Sequence, residues 1–153
     1  MAVTTRPVTS DDCGLICRHR RDMFAAAGEV RAAKAAGSDE YKDWQAQHLT
    51  SGAYFGFIAE AGGRPVGGIG LMILDWPPHP EHPQITQRGY VLNLFVEPDC
   101  RGQGIGKRLI AEADREFRKR GVSFAVLTAT DQARPIYEKD GWEQTSQMAK
   151  CLD

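Results

Sequence analysis

Long apolar runs are missing from this sequence: none approaches the roughly 20 residues that a membrane-spanning helix needs. The opening stretch MAVTTRPVTSDD also lacks a basic segment followed by an apolar one, the pattern of a secretory leader. The expectation is a cytoplasmic chain with no membrane partner. Cysteine is scarce. Cys13, Cys17, Cys100 and Cys151 include one pair spaced four apart and no second cluster, which indicates neither a zinc ribbon nor a disulfide framework and leaves free thiols as the default. An excess of charge is missing too, since 19 basic and 20 acidic residues leave a formal net charge of -1. That balance argues against a nucleic-acid partner, and the basic stretches RHRR and REFRKRG read as solvated helix faces. Any anion site must be local. Linkers, internal repeats and low-complexity tracts are likewise lacking, apart from the alanine-rich AAAGEVRAAKAAG, which reads as a mobile extension.

What is present suits one compact domain over residues 1–153: 42% of residues are hydrophobic and 25% charged. AVTTRPV reads as an edge strand. Thr9 followed by Asp12 gives a capping pattern for a first helix, whose inner stripe is Cys13, Ile16, Cys17, Phe24 and Ala27. Arg20 falls on that stripe. Ser38 is a cap for a second helix that places Tyr41, Trp44 and Leu49 inward. Two β-prone runs around AGGRP form a hairpin, PPHPEHPQITQR is too proline-rich to be anything but a loop, and GYVLNLFVEP is the next strand. A helix from about Gly104 to Arg120 buries Ile105, Leu109, Ala113 and Phe117 at intervals of four. VSFAVLTAT is a strand, Pro135 lies in the first turn of the last helix, and GWEQTSQMAKCL reads as a closing strand. The order predicts a mixed α/β fold in which Tyr90 to Thr128 make a parallel strand–helix–strand crossover. The exposed closing strand could pair with a second copy as a homodimer.

One stretch, LFVEPDCRGQGIGKRLIAEADREFRKRG, stands out. Its helix carries Gly102, Gly104 and Gly106 in the first turn, although each glycine weakens a helix by roughly 1 kcal/mol relative to alanine. Backbone N–H groups at a helix start have no intrahelical partner and sit at the positive end of the helix dipole. Glycines without Cβ atoms let a pyrophosphate reach those groups, and Arg101, Lys107 and Arg108 add cations. A Walker A loop would require glycine at Arg101 and Ser or Thr at Arg108, and fails twice. The dinucleotide fingerprint fails as well, at Lys107 or at Leu109 depending on where it starts. A turn that merely packs tightly against the sheet is the other reading of the same glycines.

VEPDCRGQGIGKRLI resembles the acyl-CoA binding motif of the GCN5-related N-acetyltransferases, met here by Arg101, Gly104 and Gly106. ARPIYEKDGW resembles the C-terminal motif of the same family, with Tyr137 and the pair Gly141 and Trp142 in place. The two blocks run from about Tyr90 to Trp142; the first half of the chain matches in architecture alone. The resemblance implies a single domain of that family: a central, mostly antiparallel, twisted sheet with one parallel splayed strand pair, flanked by helices. It further implies acetyl-CoA as co-substrate, with the backbone of Gly102, Gln103, Gly104, Ile105, Gly106 and Lys107 on the pyrophosphate. Leu94, Phe95 and Val96 would present main-chain groups to the pantetheine arm.

The implied chemistry is N-acetyl transfer by direct attack of an acceptor amine, from a small molecule or peptide, on the bound thioester. Tyr137 is the candidate acid, because a phenol with an ordinary pKa of about 10 keeps its proton at neutral pH. This sequence departs from the family in two places. Thr130 stands where many members have an Asn that touches the cofactor, and the strand before the glycine turn offers Asn93 where many have a Glu base. An amide is no general base, but Asn93 could orient the amine or a water, or equally serve only to satisfy a buried polar contact. Glu97 reads as a surface carboxylate. Asp75, His79, Glu81 and His82 bring proton-transfer groups to the proline-rich loop, and Asp75, His79 and His82 are acceptor-site candidates. His79 and His82 lack clear metal-ligand spacing, so no metal is expected. Arg20 could face the cleft and pair with a carboxylate on the acceptor, against the readings of snorkelling to the surface or a structural ion pair with an internal acid. A non-catalytic acyl-CoA-binding module is the competing reading, favoured by the missing strand carboxylate.

Overall fold

The computed structural model describes residues 2–78 and 80–153. The chain begins with β1 (Val3–Pro7), after which a single 3-10 turn, Ser10–Asp12, leads into α1 (Cys13–Ala26). The Asp12 carboxylate accepts from the Thr9 backbone N–H at 2.7 Å, as the capping pattern predicted, and is gripped by the Arg6 guanidinium at 2.8 Å. The alanine-rich stretch is not a mobile extension. It contains α2 (Val30–Ala36), whose Ala33 and Ala36 are buried, because small side chains let one helix lie close on another. α3 (Asp39–Ser51) starts at Ser38, whose hydroxyl accepts from the Tyr41 N–H at 3.2 Å.

β2 (Phe55–Ala61), β3 (Arg64–Asp75) and β4 (Gln87–Val96) follow as an antiparallel meander. Past the glycine turn come α4 (Ile105–Lys119), β5 (Ala125–Leu127) and α5 (Arg134–Lys139). The sheet order is β1-β2-β3-β4-β5, antiparallel except for the β4–β5 pair. This is the mixed α/β architecture that the sequence predicted. One element is missing. Residues 141–153 form no strand, and every residue from Glu143 onward is exposed, so the closing strand and a pairing edge made from it are not there. Physically, Glu143 to Gln147 offer no apolar residue to bury, while Met148 and Leu152 stand 92% and 87% exposed.

Two features of β4 position the functional site. First, its pairing with β3 steps from Gly68↔Phe95 to Gly70↔Leu92, so β4 carries one extra residue, a bulge in which Asn93 adopts φ 56°. Asn is among the few residues that tolerate this left-handed conformation. Because side chains alternate along a strand, one extra residue exchanges the two faces beyond it. Val91, Leu94 and Val96 therefore pack toward the α4 core, whereas Asn93 and Phe95 turn toward α1. Second, β5 pairs with β4 only from Gly89↔Ala125 to Val91↔Leu127. Beyond Val91 the two strands part, and the last five residues of β4 have no partner on that side. α4 seals one face of the sheet with Ile105, Leu109, Ala113 and Phe117, all buried at the predicted spacing. α1 lies on the other face, as the neighbours Gly67 and Gly68 show: a Cβ on Gly67 would meet Leu109, and one on Gly68 would meet His19.

Candidate functional site

Where β4 and β5 part, a cleft of about 340 Å³ opens, a size typical of small-molecule sites. Leu94, Phe95 and Val96 form one wall, the glycine turn forms the end, and Thr130, Ala133 and Ile136 form the other wall. Met23 and Ala26 of α1 close it from above. Ten of the residues expected at a cofactor site thus meet in one place: Leu94, Phe95, Val96, Arg101, Gly102, Gly104, Ile105, Gly106, Lys107 and Thr130. Gln103 belongs to the turn without lining the cleft.

The three glycines differ in what they do. Gly102 and Gly104 have φ of 77° and 80°, and a Cβ on either would meet no protein atom within 4 Å. Their need for glycine is conformational, and their α-carbons face open space at the mouth of the cleft. Gly106 is helical, and a Cβ there would come within 2.9 Å of Ile136 Cδ1. It is glycine so that α5 can approach α4. Access for a pyrophosphate is therefore not the reason for all three.

Several polar residues near the cleft are committed to holding its walls. Arg101 donates through Nε to the Val96 carbonyl at 2.9 Å, pinning the strand exit. Thr130 accepts from the Ala133 N–H at 3.2 Å and so caps the turn into α5. Glu97 is no solvated carboxylate: Arg18 Nη2 donates to it at 2.6 Å, tying α1 to the end of β4. Tyr137 does not line the cleft: it follows Ile136 of the wall, is only 6% exposed within the core that α4 packs, lies edge-on to Trp142 at 5.8 Å, and its hydroxyl makes no hydrogen bond among the described residues. Burial pushes its phenol well above the ordinary value of 10, so it stays protonated.

On the α1 side of the bulge lies a polar network that the sequence disclosed only in part. Arg20 Nη1 donates to Asn93 Oδ1 at 2.9 Å, and Asn93 Nδ2 donates to the hydroxyls of Tyr54 and Tyr41 at 3.0 and 3.3 Å. Tyr41 in turn donates to Gln45 Oε1 at 2.7 Å. The Arg20 guanidinium lies over the rings of Phe24 and Tyr41, at 5.1 and 4.7 Å. Burial raises the phenols of Tyr41 and Tyr54, opposed by the hydrogen bond from Asn93. Tyr54, Gln45 and His19 were not anticipated. A tyrosine and a glutamine four apart on a helix, Tyr41 and Gln45, were the available signal. His19 is buried against Phe95, ring centroids 4.8 Å apart, and burial lowers its pKa from 6.5 to about 4.

The proline-rich loop is elsewhere. Asp75 pairs with Gln87 at the amino end of β4, roughly 30 Å of strand from the glycine turn. Asp75, Glu81 and His82 are exposed and do not line the cleft, and His79 lies outside the described residues. Among the described residues no three His, Cys, Asp or Glu side chains gather as a metal site, and no helix is long and apolar enough to cross a membrane. A second hollow, about 410 Å³, lies beside Asp114, Asp140 and Trp142. Burial and the charge of Asp140 push the Asp114 carboxyl up, opposed by Arg118 in the same lining.

Comparison with known proteins gives a consistent picture. The model of the acetyltransferase (GNAT) family matches residues 19–142. A crystal structure of a GCN5-related N-acetyltransferase from Ralstonia eutropha JMP134 is 45% identical, with a TM-score of 0.94 and 99% of each chain covered. A predicted acetyltransferase from Clostridium acetobutylicum, solved with acetyl-CoA, shares the fold at 21% identity, with a TM-score of 0.84 over 99% of this chain and 96% of that one. Glucosamine 6-phosphate N-acetyltransferase of Trypanosoma brucei brucei is 31% identical over 90 residues, 56% of either chain. The chain spans about half the length of the curated relatives it matches.

Proposed function

Because the chain belongs to the GNAT acetyltransferase family, whose general reaction is acetyl transfer from acetyl-CoA, we propose that it acetylates a primary amine by direct attack in a ternary complex. The observation that carries this reading is the cleft itself. β4 runs past the end of β5 with one side unpaired, and the glycine turn stands at the end of that free edge. Main-chain groups of Leu94, Phe95 and Val96 suit the amide-bearing pantetheine arm. The N–H groups from Gly102 to Lys107, at the start of α4, suit the pyrophosphate.

In the reaction, the neutral amine nitrogen attacks the thioester carbonyl carbon, and the C–S bond breaks as the amide bond forms. The nitrogen gives up one proton to water, and the departing sulfur takes one. Tyr137 is the proposed donor to sulfur: it adjoins Ile136 of the cleft wall, burial keeps its phenol protonated, and its hydroxyl is not spent on another partner among the described residues. The side chain of Asn93 is fully engaged by Arg20, Tyr41 and Tyr54, so its part is to position those groups.

Thiol release from acetyl-CoA in the presence of a panel of primary amines tests the proposal. Turnover with at least one amine, reduced about 100-fold in kcat by Tyr137→Phe, is expected for loss of a general acid. Saturable binding of acetyl-CoA with no turnover on any amine would instead identify a non-catalytic acyl-CoA module.

A further inference from the structure

We infer that the acceptor is an amine that also carries a carboxylate, an amino acid in the broad sense, and that Arg20 is the residue that recognises it. The inference rests on the acetyltransferase reading and narrows it to a substrate class.

A guanidinium withdrawn from water needs an anion nearby. The other arginines on α1 have one: Arg18 pairs with Glu97 and Asp22, and Arg21 pairs with Asp22. Arg6 is likewise matched to Asp12 and Glu60. Arg20 is half-buried between α1, α3 and β4, and among the described residues it pairs with no carboxylate. Its one hydrogen-bond partner there is the neutral amide of Asn93. The rings of Phe24 and Tyr41 also lie against its guanidinium, at 5.1 and 4.7 Å, and neither supplies an anion.

Arg20 does not itself line the cofactor cleft, but residues close to it do. Asn93, which holds it, immediately precedes Leu94 on the cleft wall, and Met23, one helical turn beyond Arg20, lines the same cleft. The Asn93 bulge is the device that turns this side chain out of the α4 core toward α1. A planar carboxylate matches the N–H fork of a guanidinium edge. A single unpaired cation balances one negative charge. A phosphate dianion would need a second, and Arg18 and Arg21 are already matched.

The test is calorimetric titration of the full chain, saturated with coenzyme A, with the α-amino acids, β-alanine, their carboxamides and phosphoethanolamine. At least one amino acid should bind saturably and at least tenfold more tightly than its amide, as expected for a charged hydrogen bond worth roughly 1.5–3 kcal/mol. Arg20→Gln should remove that preference while coenzyme A affinity stays within twofold. Asn93→Asp, which supplies Arg20 with an internal carboxylate, should weaken the same amino acid. If Arg20→Gln does not fold, Arg20→Lys keeps the charge without the fork, and a several-fold loss is expected. Binding of no amino acid, equal binding of acid and amide, tighter binding of phosphoethanolamine, or an unchanged preference in Arg20→Gln would overturn the inference. Failure of the folded protein to bind coenzyme A at all would refute the acetyltransferase reading itself, and is read in the first titration.

Discussion

Replacing Asn93 with alanine disturbs the molecule in two separable ways. The side chain donates to Tyr54, which is 2% exposed, and accepts from Arg20. Losing it leaves a sealed phenol without its donor, a cost of about 1–3 kcal/mol. The bond to half-buried Arg20 adds about 0.5–1 kcal/mol after allowing for solvent screening. The backbone supplies the second part. At φ 56° an alanine pays about 1–2 kcal/mol of left-handed strain, most of which Asn avoids by its local polar contacts. The sum is a loss of about 2.5–6 kcal/mol, read by urea unfolding with unchanged slope. Asn93→Gly removes the strain and should be about 1 kcal/mol less damaging than Asn93→Ala. Adding Tyr54→Phe to Asn93→Ala deletes the orphaned hydroxyl and should be far less costly than the two single changes summed. Equal stabilities for the alanine and glycine variants would refute the strain contribution, and additivity with Tyr54→Phe would refute the hydrogen-bond contribution.

Two other consequences concern pH. His19 titrates at about 4 in the folded chain against 6.5 unfolded, so the unfolded chain binds the extra proton between those values. Stability should therefore fall by up to about 3 kcal/mol as pH drops from 6.5 to 4, and His19→Leu should flatten that part of the unfolding profile. Tyr137, raised above its ordinary value of 10, is neutral across the working range. The turnover profile should show no alkaline limb below pH 10 that disappears in Tyr137→Phe; finding one would assign the proton to a group with a lower pKa.

The helices and the central strands were legible because each repeats a simple period: apolar residues every four positions on α4, alternation on β4, and caps at Thr9 and Ser38. The candidate cleft was legible for a different reason. Glycines where a helix should avoid them, beside cations, have few uses, and the structure brings ten of the named residues to one cleft. What escaped was non-local. That Asn93 starts a bulge depends on its register against β3, and no spacing within GYVLNLFV reveals which residue is extra. The commitment of Glu97 to Arg18 and the burial of His19 likewise depend on how α1 lies over the sheet. The closing strand was misjudged because β-prone residues in GWEQTSQMAKCL do not by themselves supply a partner, and α2 because an alanine-rich run looks mobile until a neighbouring helix covers it. Asp75 and His82 were grouped with the acceptor on chemistry alone, and their loop lies at the other end of β4 from the cleft.

The proposed acetyl-CoA site is tested most directly by calorimetric titration of the full chain with acetyl-CoA, beside ATP and NAD. Saturable binding of acetyl-CoA alone is predicted, weakened at least tenfold by Gly104→Ala, whose Cβ meets no protein atom but alters the turn at the start of α4. A folded protein that does not bind acetyl-CoA, or that binds all three nucleotides alike, would be incompatible with a dedicated coenzyme A cleft.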